Sequence, residues 1–196
     1  MSSVGKQVMV QQTPEQIKSH FQSSPWAVKL FSDPTLQAFA DESRIVKPTN
    51  TGDTFVARTL ATEDTIAAWQ SFYRIPSPGS TIQGETITIL KLGSGVNGHV
   101  DICHGGFVSL LLDEVIGTAA GHIRPQDKTT MTAYLNVDYK KPVPTPGLVL
   151  CRAWVERTEG RKMYGRGTVE DGEGTIMATG EALFIVIEMI TGKVKL

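Results

Sequence analysis

From Phe107 to Ala120 the chain is almost entirely Leu, Val, Ile, Ala and other small residues, broken by the adjacent carboxylates Asp113 and Glu114. A helix that is apolar on every side is buried rather than amphipathic. An ionised group inside it must be paired, hydrogen-bonded or neutralised, so two acids there are costly. The run demands a fold that wraps a central helix, and a use for a carboxylate within it.

The flanks suit such a fold. The spacing predicts a β-rich segment over Glu85–Leu92, a Gly93-Ser94-Gly95 turn, and the helix from about Gly106 to Gly121. Strands are expected over Thr129–Tyr139, Leu148–Thr158, Lys162–Val169 and Thr175–Glu188. They are separated by Pro142–Gly147, Glu159-Gly160 and Asp171–Gly174, which carry turn chemistry. One strand, a buried helix and four antiparallel strands make an α+β arrangement with the sheet wrapped around the helix. In Thr129–Tyr139 the apolar residues Met131, Ala133, Leu135, Val137 and Tyr139 alternate, which predicts that they face the helix. Thr132, Asn136, Asp138 and Lys140 then fall on the opposite face.

Upstream the reading is a mainly helical extension, residues 1–78, joined to a domain of residues 79–196 at the Pro76–Ser80 cluster. Thr13-Pro14-Glu15-Gln16 has the form of an N-cap, a proline at N1 and helix formers, with the helix running on through Ile17 and Phe21. Further helices are expected over Pro34–Ala40 and Thr62–Arg74, with a short strand over Phe55–Leu60. Trp26, Trp69, Phe72 and Tyr73 are expected to pack the extension onto the domain.

A chain of 196 residues with 40% hydrophobic and 20% charged residues can build a substantial core. A net charge of −1 excludes a general electrostatic footprint for nucleic acid or anionic membrane, whereas an anionic small molecule needs only a local Lys/Arg cluster. Met1 to Gln12 lack an apolar leader core, so no secretory signal is expected, and no run is expected to be long enough to span a membrane. Cys103 and Cys151 sit in apolar sequence and read as buried thiols in a reducing, cytoplasmic compartment. His99, Asp101, Cys103 and His104 are acceptable metal-ligand types, but their spacing matches no standard zinc pattern, and no metal or other cofactor is expected.

His104-Gly105-Gly106 followed by Asp113, the segment Met131-Thr132-Ala133-Tyr134-Leu135-Asn136-Val137-Asp138-Tyr139-Lys140-Lys141-Pro142, and Glu159-Gly160-Arg161-Lys162 together resemble the hotdog-fold thioesterases. The likeness is strongest to the acyl-CoA thioesterase branch that contains thioesterase superfamily member 4, and it covers roughly Gly84 to Ile187. It implies Asp113 as general base or nucleophile, Thr132 as the residue orienting the attacking water, and the Gly105 N–H as the group polarising the thioester carbonyl. Family members often carry an Asn or Gln shortly before His-Gly-Gly as a second carbonyl contact, and Asn97 is the candidate here, at an offset about one residue longer. Lys140, Arg161 and Lys162 are the implied contacts to the phosphates of coenzyme A, with Asp138 beside them.

These roles fit the chemistry. A helix N-terminus offers unpaired N–H groups and a partial positive charge to a developing oxyanion. Glycine at 105 and 106 leaves that backbone open to close approach. A carboxylate out of water can serve as base. His104 is read as holding the helix entry by hydrogen bonding, and Glu114, about 100° round the helix from Asp113, as structural. Gly105 and Asp113 are eight residues apart, about 12 Å along the axis, whereas a base must lie within about 3 Å of the water it activates. One subunit therefore cannot serve one carbonyl with both groups, and a homodimer or a dimer of dimers with shared sites is expected. Hydratase or dehydratase chemistry, and a non-catalytic acyl-CoA-binding hotdog protein, are the rival readings.

Overall fold

The computed structural model describes residues 12–80, 82–190 and 193–194. Residues 1–11, where no secretory leader is expected, lie outside them. Two short helices, α1 (Pro14–Ser19) and α2 (Pro25–Ser32), precede β1 (Leu36–Phe39), β2 (Ile66–Arg74) and β3 (Gln83–Leu92). The ribbon β4 (Asn97–His99) and β5 (Ile102–Cys103) leads into the long helix α3 (Gly105–Ile123). Strands β6 (Lys128–Tyr139), β7 (Gly147–Glu159), β8 (Lys162–Glu170), β9 (Ile176–Ile190) and β10 (Lys193–Val194) follow. The main sheet runs in the order β1-β2-β3-β7-β8-β9, and β6 pairs with β9, antiparallel throughout. This is the hotdog fold: an antiparallel sheet wrapped on a central helix.

The expected helix and the four strands after it stand at nearly the expected bounds. α3 is 19 residues long and apolar enough to cross a membrane by length and composition, contrary to the expectation that no run would be. Its Leu111, Leu112, Val115 and Ile116 are instead enclosed by the sheet at 0% exposure. Each such burial contributes about 1.5–3 kcal/mol. Close packing depends on Gly165 and Gly167 of β8, where a Cβ would stand 2.4 and 2.9 Å from the Ile116 side chain.

The helix is not apolar all round, as its composition had implied. Phe107/Val108, Leu111/Leu112, Val115/Ile116 and Ala119/Ala120 are buried in pairs one turn apart, while Ser109/Leu110, Asp113/Glu114, Gly117/Thr118 and Gly121 form a second, half-buried stripe. Small residues on that stripe leave room beside the two acids.

The upstream half differs more from expectation. Thr13 caps α1 with a complete capping box, as expected, but the helix ends at Ser19. Pro34–Ala40 holds β1 rather than a helix. Phe55–Thr59 is a π-helical turn rather than a strand, closed by Leu60 N–H donating to the Phe55 carbonyl at 3.0 Å. Thr62–Arg74 contains β2, not a helix. The reason is burial on both faces: Ile66 to Phe72 are all at 8% exposure or less, so the strand shows no polar alternation. One face of β2 joins the core around α3 through Trp69. The other meets α1 and α2 in a second core of Phe21, Ala27, Phe72, Ile87 and Ile89. Phe31 packs edge-on to Phe72 with centroids 5.2 Å apart, a contact within residues 1–78, while Phe72 and Trp26 of the expected aromatics join the second core with Ile87 and Ile89. Pro76–Ser80, expected as a boundary, connects β2 to β3 within one sheet.

Candidate active site

His104 caps α3: its Nδ1 accepts the Gly106 N–H at 2.9 Å, the structural role expected of it. The Gly106 amide is thereby occupied. The Gly105 N–H has no hydrogen-bond partner among the described residues, as befits the first turn of a helix. The Gly105 carbonyl accepts from Tyr139 Oη at 3.0 Å and from Ser109 Oγ at 3.2 Å, and these two hydroxyls lie 2.6 Å apart. Sequence reasoning passed over Tyr139 and Ser109 as anchors of this turn, because each was read only as part of a pattern.

Two turns further on, Asp113 Oδ1 accepts the Thr132 Oγ1–H at 2.8 Å. This corrects the expectation that Thr132 faces away from the helix. The β6–β9 register shifts between Thr132 and Tyr134, so the bulge at Ala133 switches the strand's faces. Thr132 pairs with the buried Phe184, and beyond the bulge Leu135, Val137 and Tyr139 pair with Ala182, Gly180 and Ala178 on the same, helix-facing side. Met131 and Tyr134 are turned outward and are 39% and 43% exposed.

Asp113 and Thr132 lie in a cleft of about 450 Å³ whose far wall comes from the N-terminal half: Phe39, Asp41, Ser43, Lys47 and Asp53. Asp41 is the deepest of these groups. Its carboxylate accepts from Thr118 Oγ1 at 3.2 Å and Ser71 Oγ at 3.2 Å, and burial still pushes its pKa up against those hydrogen bonds. Glu114 faces the same wall. Burial pushes its pKa up to about 7, Ser43 hydrogen-bonds it in the opposite sense, and the charges of Asp41, Asp113 and Asp53 add to the rise. Glu114, expected as structural or secondary, thus sits in the cleft with a raised pKa. An acid on an otherwise apolar helix was its signal; Asp41 and Ser43 gave none. Arg44 is half-buried nearby, donates to the Val56 carbonyl at 2.8 Å and is lowered to about 10 by desolvation.

Gly105 does not line this cleft, so one protomer does not bring the amide and the carboxylate together. The expected phosphate contacts are also dispersed. Asn97 of β4, expected as a second carbonyl contact, accepts from Thr145 Oγ1, and of the expected phosphate contacts Lys140 is paired with Asp138 at the end of β6. The Lys140 N–H donates to Met177, whereas Lys162 pairs with Ile185. Those partners are eight residues apart on β9, about 27 Å. Lys140 therefore sits at the Gly105 end of the sheet and Arg161-Lys162 at the Asp113 end, so one protomer does not bring these implied phosphate contacts together. Among the described residues no group of three or more His, Cys, Asp or Glu is placed to hold a metal ion.

With this geometry in view, the family model of the thioesterase superfamily matches residues 101–178, which contain Gly105, Asp113 and Thr132. Acyl-coenzyme A thioesterase THEM4 of Mus musculus is 30% identical over 108 residues, 55% of this chain and 45% of that protein. The Xenopus laevis protein of the same name is 30% identical over 100 residues, 50% of this chain and 44% of that one. The chain thus spans less than half the length of these relatives. The yhdA protein of Lactococcus lactis shares the fold with a TM-score of 0.56 at 14% identity, over 65% of this chain and 96% of that one.

Proposed function

We propose that this chain, which carries a thioesterase-superfamily domain over residues 101–178, hydrolyses acyl-CoA thioesters to free acid and thiol at sites shared by two protomers. The observation that carries the reading is the Thr132–Asp113 hydrogen bond, which orients one carboxylate oxygen in an open cleft. In this scheme the other oxygen takes a proton from water as the water adds to the carbonyl carbon. The Gly105 N–H of the partner subunit receives the developing oxyanion, and collapse of the tetrahedral intermediate expels the CoA thiolate, which takes up the proton held by Asp113 and restores the carboxylate.

Sharing is supported by the axial separation of Gly105 and Asp113 and by the edge of β6. That strand is twelve residues long, bonds among the described strands only to β9, and turns Met131 and Tyr134 outward. Such an edge is a template for pairing with another chain. A two-fold axis there sets Asp113 of each protomer against Gly105 of the other. It also brings Arg161-Lys162 of one toward Lys140 of its mate, which makes one cationic patch for phosphates out of two that lie far apart in the monomer.

The test is thiol release from acyl-CoAs by the wild type and by Asp113→Asn. Release that the substitution lowers at least a hundredfold supports hydrolysis. Equal release by both proteins, or none by the wild type, overturns it.

A further inference from the structure

Two cavities flank the Phe39–Asp41 segment. One is the Asp113 cleft, and its walls are polar: Glu114 and Thr118 from α3, Asp41 and Ser43 from the N-terminal segment, Thr129 and Thr130 from β6. The other, about 360 Å³, is the apolar one, lined by Ile17, Ile45, Val46, Ala57 and Trp69. The Phe39–Asp41 segment lines both cavities, and the Asp41 carboxylate belongs to the wall they share. That carboxylate is 6% exposed and anchored to both α3 and β2 through Thr118 and Ser71. Removing its partners would leave a buried acid unsatisfied, which is costly.

We infer that the acyl group received beside Asp113 is short and carries a hydroxyl or comparable hydrogen-bonding substituent, which Glu114 and Ser43 recognise, and that it is not a long alkyl chain. This rests on the thioesterase reading and names its substrate class. An alkyl group lying along this wall strips water from Glu114 and the threonines without replacing their hydrogen bonds. A hydroxyl replaces them. Because burial holds Glu114 near the midpoint of its titration at neutral pH, its carboxyl can donate to or accept from such a group. Sites built to hydrogen-bond a substrate hydroxyl discriminate strongly against the analogue that lacks it.

The experiment measures calorimetric binding of 3-hydroxybutyryl-CoA, butyryl-CoA and dodecanoyl-CoA to the Asp113→Asn protein, which slows turnover while keeping the wall intact. The expected result is at least tenfold tighter binding of the hydroxylated ligand than of butyryl-CoA, with dodecanoyl-CoA no tighter than butyryl-CoA. Glu114→Leu and Ser43→Ala, each added to Asp113→Asn, should reduce the hydroxyl preference to below threefold. Affinity that climbs with chain length toward about fourfold per methylene, the value for a buried CH₂, would overturn the inference. So would equal binding of the two C4 ligands, or binding of none. Turnover of the same three thioesters by the wild type separates the two proposals: selective binding without hydrolysis refutes the reaction and leaves the ligand class standing.

Discussion

Thr132 and Asp113, nineteen residues apart in the chain, meet at 2.8 Å because β6 carries one extra residue between Thr132 and Tyr134. Regular alternation back from Tyr139 would turn Thr132 to the outer surface, beside Asn136 and Asp138. The bulge turns it inward onto the helix stripe that holds the carboxylate. Bulges that re-aim a side chain beside a reactive group are a recurrent use of the device.

Deleting that hydroxyl should therefore disturb orientation more than binding. Thr132→Val is expected to lower kcat about tenfold to a hundredfold with KM within a factor of three, the scale of a misplaced catalytic group. Thr132→Ser should retain most activity, since it keeps the donor. A loss confined to KM in steady-state kinetics would contradict the role.

Glu114 gives a pH signature in stability. Its folded-state pKa, about 7, lies above the ordinary 4.5, so the folded protein holds the proton more tightly than the unfolded chain does. That contribution is fully present below about pH 4.5 and is lost as pH rises to about 7. It amounts to at most about 3 kcal/mol before solvent screening of this half-buried group. Asp41, also raised, acts in the same sense. Thermal unfolding of wild type and Glu114→Gln should show the variant gaining stability relative to wild type between pH 5 and pH 8. A Tm difference that stays constant across that range would rule the assignment out.

The phosphate patch separates from the chemistry by choice of substrate. Arg161→Glu is expected to raise KM for an acyl-CoA about tenfold while leaving kcat within a factor of two. For the same acyl group on N-acetylcysteamine, a thiol without phosphates, the KM should not change. Equal effects on both substrates would place Arg161 outside the CoA site.

The sequence carried the second half of the fold well and the first half poorly, for physical reasons. Strands β6 to β9 are punctuated by Pro- and Gly-rich turns, and α3 is bracketed by His104-Gly105-Gly106 and by the Arg124-Pro125 exit, so their bounds are local properties. β2 is packed on both sides, by α3 and by α1–α2, and a strand without a solvent face has no period-two pattern to read. Asp113, Thr132 and Gly105 could be named from their motifs. The face of Thr132 could not, because nothing in Met131 to Leu135 announces the bulge. Asp41 and Ser43 reach the cleft through the tertiary path of β1 and the turn after it, and no spacing relates them to α3.

Sharing of each site between protomers is tested most directly by complementation. Gly105→Pro removes the amide hydrogen at the first helical position, where proline is tolerated, and His104 already has the extended conformation (φ −63°, ψ 134°) that a following proline requires. It should fold and lose about a hundredfold to a thousandfold in kcat, as Asp113→Asn should. When the two inactive proteins are unfolded together and refolded, random pairing gives heterodimers in half the population. Each carries one site with both groups intact, so about a quarter of wild-type activity should return. Activity no higher than that of the two variants refolded separately would contradict a shared site.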